Sequence, residues 1–178
     1  MNKRVAFGRS GYPKSVQTFL PFPDFEQSAR SLDQKRLGKQ RVECIQVLRG
    51  LVVEGYGWRH HPAVRMWKGF EEAHGRYSFT CFAVWVETGF ADTCATTIGS
   101  ELRSIGVTRV RTQDELAAAE ALPPWLGDEA FHLSHRAALV RKDPEFYGPR
   151  FPDVRNDVPY VTPTRAPSSD AAAEDPSR

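Results

Sequence analysis

The chain has 178 residues, 40% of them hydrophobic and 26% charged, with three cysteines and a net charge of +2. That length holds one domain with a core of its own, and Cys44, Cys81 and Cys94, scattered without CxxC spacing, exclude a disulfide framework and read as reduced, buried thiols. No run approaches the length of a membrane span and no apolar signal region opens the chain, so a cytoplasmic protein is expected. Residues 1–15 carry Lys3, Arg4, Arg9 and Lys14 and no acid, so +2 less these four leaves −2 for the rest. Bulk charge therefore names no partner, and a nucleic-acid footprint has to come from local clusters at Lys35 to Arg49 and Arg136 to Arg155.

In chain order, residues 1–15 have neither helical nor strand period and read as a loose arm, or as untranslated if Val16 is the true start. Patterned sequence begins with Gln17-Thr-Phe-Leu. Pro21 and Pro23 lead in extended form to a short helix over Phe25 to Arg30, capped by Asp24. Asp33 caps a long helix to Val52, whose apolar stripe is Leu37, Cys44, Ile45, Leu48, Leu51 and Val52. On its other side Lys35, Lys39 and Glu43 stand four apart, continued by Gln46 and flanked by Arg36 and Gln40. Gly50, Gly55 and Gly57 end that helix and open a loop carrying Trp58, Arg59, His60 and His61. Pro62 opens the next helix, buried through Val64, Trp67 and Phe70. Gly75 is expected to kink it, Tyr77 to Thr88 resumes the pattern, and Gly89 stops it.

A helix over Asp92 to Ser104 follows, then a short strand over Ile105 to Val110. Thr112 and Glu115 form a capping box for an Ala-rich helix to Leu122, halted by Pro123-Pro124. Asp128 caps a last helix to Lys142, followed by an aromatic, basic loop. From Val161 the composition is that of a disordered tail. The class is all-α: a compact single domain over 16–160 of about five to six helices, with an arm at 1–15 and a tail at 161–178.

The row Lys35, Lys39, Glu43 has two readings. Lysine-to-glutamate pairs on a solvated face are worth a few tenths of a kcal/mol each. Alternatively Glu43 is an acid–base group among cations that hold phosphates. His60 and His61 stand at a helix N-terminus, where a neutral imidazole donates to substrate or shuttles a proton, or else only ties the loop down. Arg59 and Arg65 beside them suit an anion. Phe146 and Tyr147, near Lys142 and Arg150, are candidates for stacking on a splayed-out base, whereas Trp67 falls at core spacing. Two Glu-x-x-His steps, Glu71 to His74 and Glu129 to His132, open a metal reading that needs Glu43 and Glu101 to complete it.

Taken together, Leu32-Asp-Gln-x-x-Leu37 with Arg-Val-Glu43, Phe70 to Gly89-Phe90, Asp128-Glu-Ala130 through Lys142, and Phe146-Tyr147-Gly148 resemble the pyrimidine-dimer DNA glycosylase family, the small all-helical phage endonuclease V type of glycosylase and AP lyase. Leu32 to Glu43 and His60-His-Pro-Ala-Val-Arg-Met-Trp67 further resemble a bacterial branch of that family whose activity is unassigned. The resemblance implies an amine nucleophile at the mature N-terminus that attacks the sugar C1′, with a helix glutamate, here Glu43, assisting β-elimination. It places that amine near Val16 and Thr18, with His61 as a further catalytic candidate. Fifteen residues precede Val16, and Lys35 or Lys39 is the alternative amine. Candidate substrate contacts are Lys35, Arg36, Lys39, Arg59, His60, Arg65, His132, His135, Arg136, Lys142, Phe146 and Tyr147. The partner implied is lesion-bearing double-stranded DNA, bound by a monomer without a cofactor or a membrane. Two other readings stay open: a nucleic-acid-binding module without chemistry, and a metal-dependent helical-bundle enzyme.

Overall fold

Asp33 starts the central helix as expected: its side chain accepts the Arg36 N–H at 3.1 Å, satisfying a donor that the first helical turn leaves free. The computed structural model describes residues 16–163, and the arm at 1–15 and the tail from 164 onward lie outside the described residues. Eight helices and no strand occur among the described residues: α1 (Phe25–Ser31), α2 (Gln34–Val52), α3 (Pro62–Arg65), α4 (Glu71–Glu87), α5 (Cys94–Ser104), α6 (Gln113–Ala118), α7 (Glu129–Lys142) and α8 (Pro144–Tyr147). Of these, α3, α6 and α8 are each no longer than six residues, and α8 alone falls where the sequence reads as a loop. α4 packs against α1, α2 and α5, while α8 folds back on α7. No helix is long and apolar enough to cross a membrane.

Several boundaries differ from the sequence expectation, each for a packing reason. Gly50 does not end α2 but lies inside it, where a Cβ would meet both Val64 methyl carbons at 2.9 Å, so the missing side chain lets α3 approach. Gly75 does not kink α4, and a Cβ there would stand 2.6 Å from Leu102 of α5. Ile105 to Val110 forms no strand, having no partner to pair with among the described residues. Its end is held by the Arg76 guanidinium, which donates to the carbonyls of Val110 (2.7 Å) and Arg111 (2.5 Å). The capping box at Thr112 is formed, but α6 stops at Ala118, short of Leu122. The loop after α7 contains α8, started by Asp143 and Pro144.

The core is organised around a segment that belongs to no helix. Val16, Thr18, Phe19, Leu20 and Pro21 are buried, although the backbone there is irregular. Buried peptide groups must be hydrogen-bonded, and here side chains take the place of a helix or sheet ladder. The five consecutive carbonyls from Gln17 to Pro21 accept, in order, from Gln40 (3.0 Å), Tyr160 (3.1 Å), Tyr77 (2.8 Å), His132 (2.8 Å) and Arg136 (2.8 Å). Phe19 N–H donates to Gln40 Oε1 at 3.0 Å and Leu20 N–H to His135 Nδ1 at 3.0 Å. The strap is thus clasped by α2, α4, α7 and the chain's C-terminal stretch. Val161 belongs to that clasp, because its N–H donates to the Ser134 hydroxyl at 3.0 Å.

Candidate active site

Where the strap crosses α2, Glu43 is only 4% exposed. The solvated-face reading of the row Lys35, Lys39, Glu43 is therefore wrong for the carboxylate, although Lys35 and Lys39 are exposed. The Gln17 backbone N–H lies close enough to the Glu43 carboxylate to favour its charge, and Lys39 Nζ stands 3.1 Å from Glu43 Oε1. Burial raises the Glu43 pKa above the usual carboxylate range; the lysine, the Gln17 N–H and the charge of Lys142 pull the other way without cancelling it. Lys142, at the end of α7, comes within 5.8 Å of the Phe19 ring centroid. Its pKa is lowered, first by desolvation and then by Lys39 and Arg36 nearby. A carboxyl group inclined to hold a proton and an ammonium inclined to lose one therefore share one end of the strap.

Beside Glu43 and opening from Gln17 is a cleft of about 220 Å³ whose walls include Val16, His61, Met66, Tyr160 and Thr162. His61 caps α3: its Nδ1 accepts the Ala63 N–H at 3.2 Å, so the neutral ring carries its proton on Nε2. Burial lowers the His61 pKa, which favours that neutral form. Trp58 packs edge-on against the same ring, with centroids 5.4 Å apart. Tyr160 stacks on His135 at 4.6 Å and lies close enough to Glu43 for the carboxylate's charge to raise the phenol's pKa further, after burial.

The structure gathers Glu43, Lys39, Lys142, Val16 and His61 at this end of the strap, and it removes other candidates. Thr18 is fully buried, its hydroxyl accepting from Trp67 Nε1 at 3.4 Å, so its side chain faces the core. His132 and His135 are fully buried too and cannot touch a substrate. His132 Nδ1 donates to the Leu20 carbonyl and its Nε2 accepts from Gly127, while His135 takes the Leu20 N–H. Arg136 holds the Pro21 carbonyl and pairs with Glu129. Tyr147 is buried, and its hydroxyl donates to Asp33 Oδ2 at 2.6 Å, so it staples α8 to α2 and is not a stacking platform. Arg36 closes that staple, paired to Asp33 at 2.5 Å and lying 5.2 Å from the Tyr147 ring centroid. Phe146 is half-buried with the Arg150 guanidinium already over its ring at 3.6 Å. Arg59, His60 and Arg65 are exposed around α3, on the loop that borders the cleft.

The Glu-x-x-His steps do not assemble. His74 is fully buried, with neither ring nitrogen hydrogen-bonded, against the Trp67 ring at 5.1 Å. Both nitrogens of His132 are taken by backbone, and no group of three or more His, Cys, Asp or Glu among the described residues is placed to hold a metal. The roles of three residues escaped the sequence reading, which places Gln40 only as a flank of the charged row on α2. Gln40 falls on the stripe between Leu37 and Cys44, and an amide on an apolar stripe is a signal of a bonded partner. Tyr160 is a lone aromatic at the edge of a Pro-rich stretch, where composition argues against structure. Also missed was Asp92, which pairs with the buried Arg41 and accepts the Ala95 N–H at the start of α5.

No curated protein and no solved structure matches the chain. Residues 16–97, which carry the first part of the strap's clasp, Glu43, the His61 cap and all of α4, match the family model described as pyrimidine dimer DNA glycosylase, the family that the sequence resemblance names.

Proposed function

We propose that the protein is a DNA repair glycosylase that cuts the base–sugar bond of damaged DNA, with Glu43 as acid–base group and an amine as nucleophile. The observation that carries this reading is the buried Glu43 carboxylate, close to the Gln17 N–H and with Lys39 Nζ 3.1 Å from its Oε1. In a chain beginning at residue 16, the α-amine would stand one residue from that N–H, and its ordinary pKa near neutrality leaves part of it unprotonated. The family match also begins at residue 16. The amine lone pair attacks the sugar C1′, the C1′–N bond breaks with its electron pair leaving on the base, and the base takes up a proton. The attached amine then sheds a proton and its lone pair opens the sugar ring, the C1′–O4′ bond breaking and O4′ taking up a proton, to give an imine that is protonated on nitrogen; Glu43 removes a C2′ proton and the 3′ phosphate leaves by β-elimination. Lys39 and Lys142 neutralise phosphates beside the carboxylate, while Lys35, Arg59, His60 and Arg65 extend the contact over lesion-bearing duplex DNA, bound by a monomer.

Borohydride trapping tests this on abasic DNA and on duplex with a cyclobutane thymine dimer, using both the full chain and a form starting at residue 16. A covalent adduct that disappears in Glu43→Gln is expected. The absence of adduct and of strand cleavage from both forms would sink the enzymatic reading. A second reading is favoured by one feature: with residues 1–15 attached, the nitrogens of residues 16 and 17 are amides, whose delocalised lone pairs are not nucleophilic. A binding module on this scaffold would then show salt-sensitive DNA binding that survives Glu43→Gln and yields no product.

A further inference from the structure

We infer that in the full chain the nucleophile is Nζ of Lys142, which bonds to the sugar C1′ and carries the imine, with Glu43 as its acid–base partner. This rests on the glycosylase reading and names the amine which that reading leaves open. With residues 1–15 attached, the nitrogen of Val16 is an amide, so among the described residues an amine at this end of the strap has to come from a side chain. Three lysines come into question. Lys39 Nζ stands 3.1 Å from Glu43 Oε1, and an ammonium committed to that ion pair has no free lone pair. Lys35 lies eight residues before Glu43, about 12 Å along the α2 axis, and suits a neighbouring phosphate. Lys142 is exposed and has no ion-pair partner among the described residues.

Two contacts place Lys142 against the carboxylate's surroundings. Asp143, next in the chain, lies 3.5 Å from Arg36 Nη1, which sets the end of α7 against the first turns of α2. Lys142 Nζ itself is 5.8 Å from the ring centroid of Phe19, on the strap that covers Glu43. From there the charges of Lys142 and Glu43 act on each other, so one deoxyribose can present C1′ to the amine and C2′ to the carboxylate. The neighbours also free the lone pair. Desolvation disfavours the ammonium first, then Lys39 and Arg36, with Arg141 adding less, and Glu43 opposes them without prevailing. Cationic neighbours of this kind activate lysine amines as nucleophiles.

The Nζ lone pair forms the N–C1′ bond as the C1′–N bond to the base breaks, its electron pair leaving on the base, which takes up a proton. The attached Nζ then loses a proton and opens the ring at C1′–O4′, O4′ taking up a proton, to leave the imine on Lys142. In a chain beginning at residue 16 the terminal amine attacks instead, and Lys142 stays a phosphate contact.

Borohydride trapping of the full chain on abasic duplex, followed by tryptic digestion and mass spectrometry, locates the bond. On that DNA the amine adds to the C1′ aldehyde, water leaves, and borohydride delivers a hydride to C1′ to give a stable secondary amine. The sugar remnant is expected on Lys142, in a peptide spanning 142–150 because trypsin no longer cuts after the modified lysine. Lys142→Arg keeps the charge and loses the amine, so adduct should fall by about 100-fold or more. Lys142→Cys should fall as far, and alkylation with 2-bromoethylamine, which rebuilds an amine there while Cys44, Cys81 and Cys94 are buried, should restore adduct to within about tenfold of the original. Adduct on Lys39 or on a terminal α-amine of the full chain, adduct from the residue-16 form alone, or undiminished trapping by Lys142→Arg overturns Lys142 as nucleophile and leaves the glycosylase reading standing. Absence of adduct and of strand cleavage from both forms overturns the two together.

Discussion

At Glu43 and Lys142 burial and charge act in opposite directions on two neighbouring groups, drawing their proton affinities together. Proton exchange between groups so adjusted costs little, which is what general acid–base catalysis needs. Glu43→Gln should therefore cut adduct formation by about 100- to 10,000-fold, measured by single-turnover trapping. The same substitution should stabilise the fold. With the folded-state pKa of Glu43 raised, the native protein holds its proton to higher pH than the unfolded chain does, so stability falls as pH rises through that window. A glutamine has no charge to desolvate, and its urea midpoint should exceed that of the original chain by a margin that grows from pH 4 to pH 7. The buried histidines have the opposite sign. His74 is held down to about 3 by burial, so the unfolded chain takes up a proton below about pH 6.5 that the native core refuses. Stability is lost as pH falls through that range, by up to about 1.4 kcal/mol per pH unit for each such proton. His74 has no hydrogen bond to lose, so His74→Leu should flatten the decline between pH 6.5 and pH 4 in chemical denaturation, and an unaltered slope would show that other groups dominate it.

The strap over residues 16–21 exists because α2, α4 and α7 each spare a side chain to bond its backbone. Gln40 is the most heavily committed, serving the Gln17 carbonyl and the Phe19 N–H together. Gln40→Leu keeps the volume and orphans both groups, each at about 1–3 kcal/mol. A loss of about 2–4 kcal/mol is expected by urea denaturation, with base-release activity falling further than stability because Gln17 shifts relative to Glu43. The caps at Asp24, Asp33, Thr112 and Asp128 were legible from sequence, since a cap is a local event within four residues. The strap was not, because nothing local marks Gln17 to Pro21 as buried. Its partners lie up to 142 residues away, as Tyr160 does from Thr18. The inward turn of Glu43 was hidden for a related reason: a charge on a helix reads as solvated until the segment that covers it is known. For the same reason His132 and His135 resembled substrate ligands while serving as backbone clamps.

Across the whole molecule, net charge is a poor guide to the partner, whereas the placement of cations relative to the cleft is informative. Lys35, Arg59 and Arg65 are exposed, and none of them has an ion-pair partner among the described residues, so their desolvation and entropy costs on meeting phosphates are small. Arg36, Arg41, Arg111 and Arg136 are already consumed by Asp33, Asp92, Glu72 and Glu129. Sequence showed all of these as one population of basic residues, because the pairing that separates them is made across 39 to 107 positions as often as within a helix turn. The division yields a test of how DNA lies on the molecule. Each phosphate that the protein no longer neutralises should reduce the slope of log affinity against log salt by about 0.9. Lys35→Ala and Arg65→Ala, singly, should each lower that slope by about one, and together by about two, with melting temperatures unchanged because neither side chain is buried. Arg155→Ala is the contrast: that cation is already paired to Asp157 at 2.5 Å, so its removal should leave the salt slope as it was. If all three substitutions change affinity alike, binding is set by overall charge, and the α2 and α3 faces are not where DNA sits.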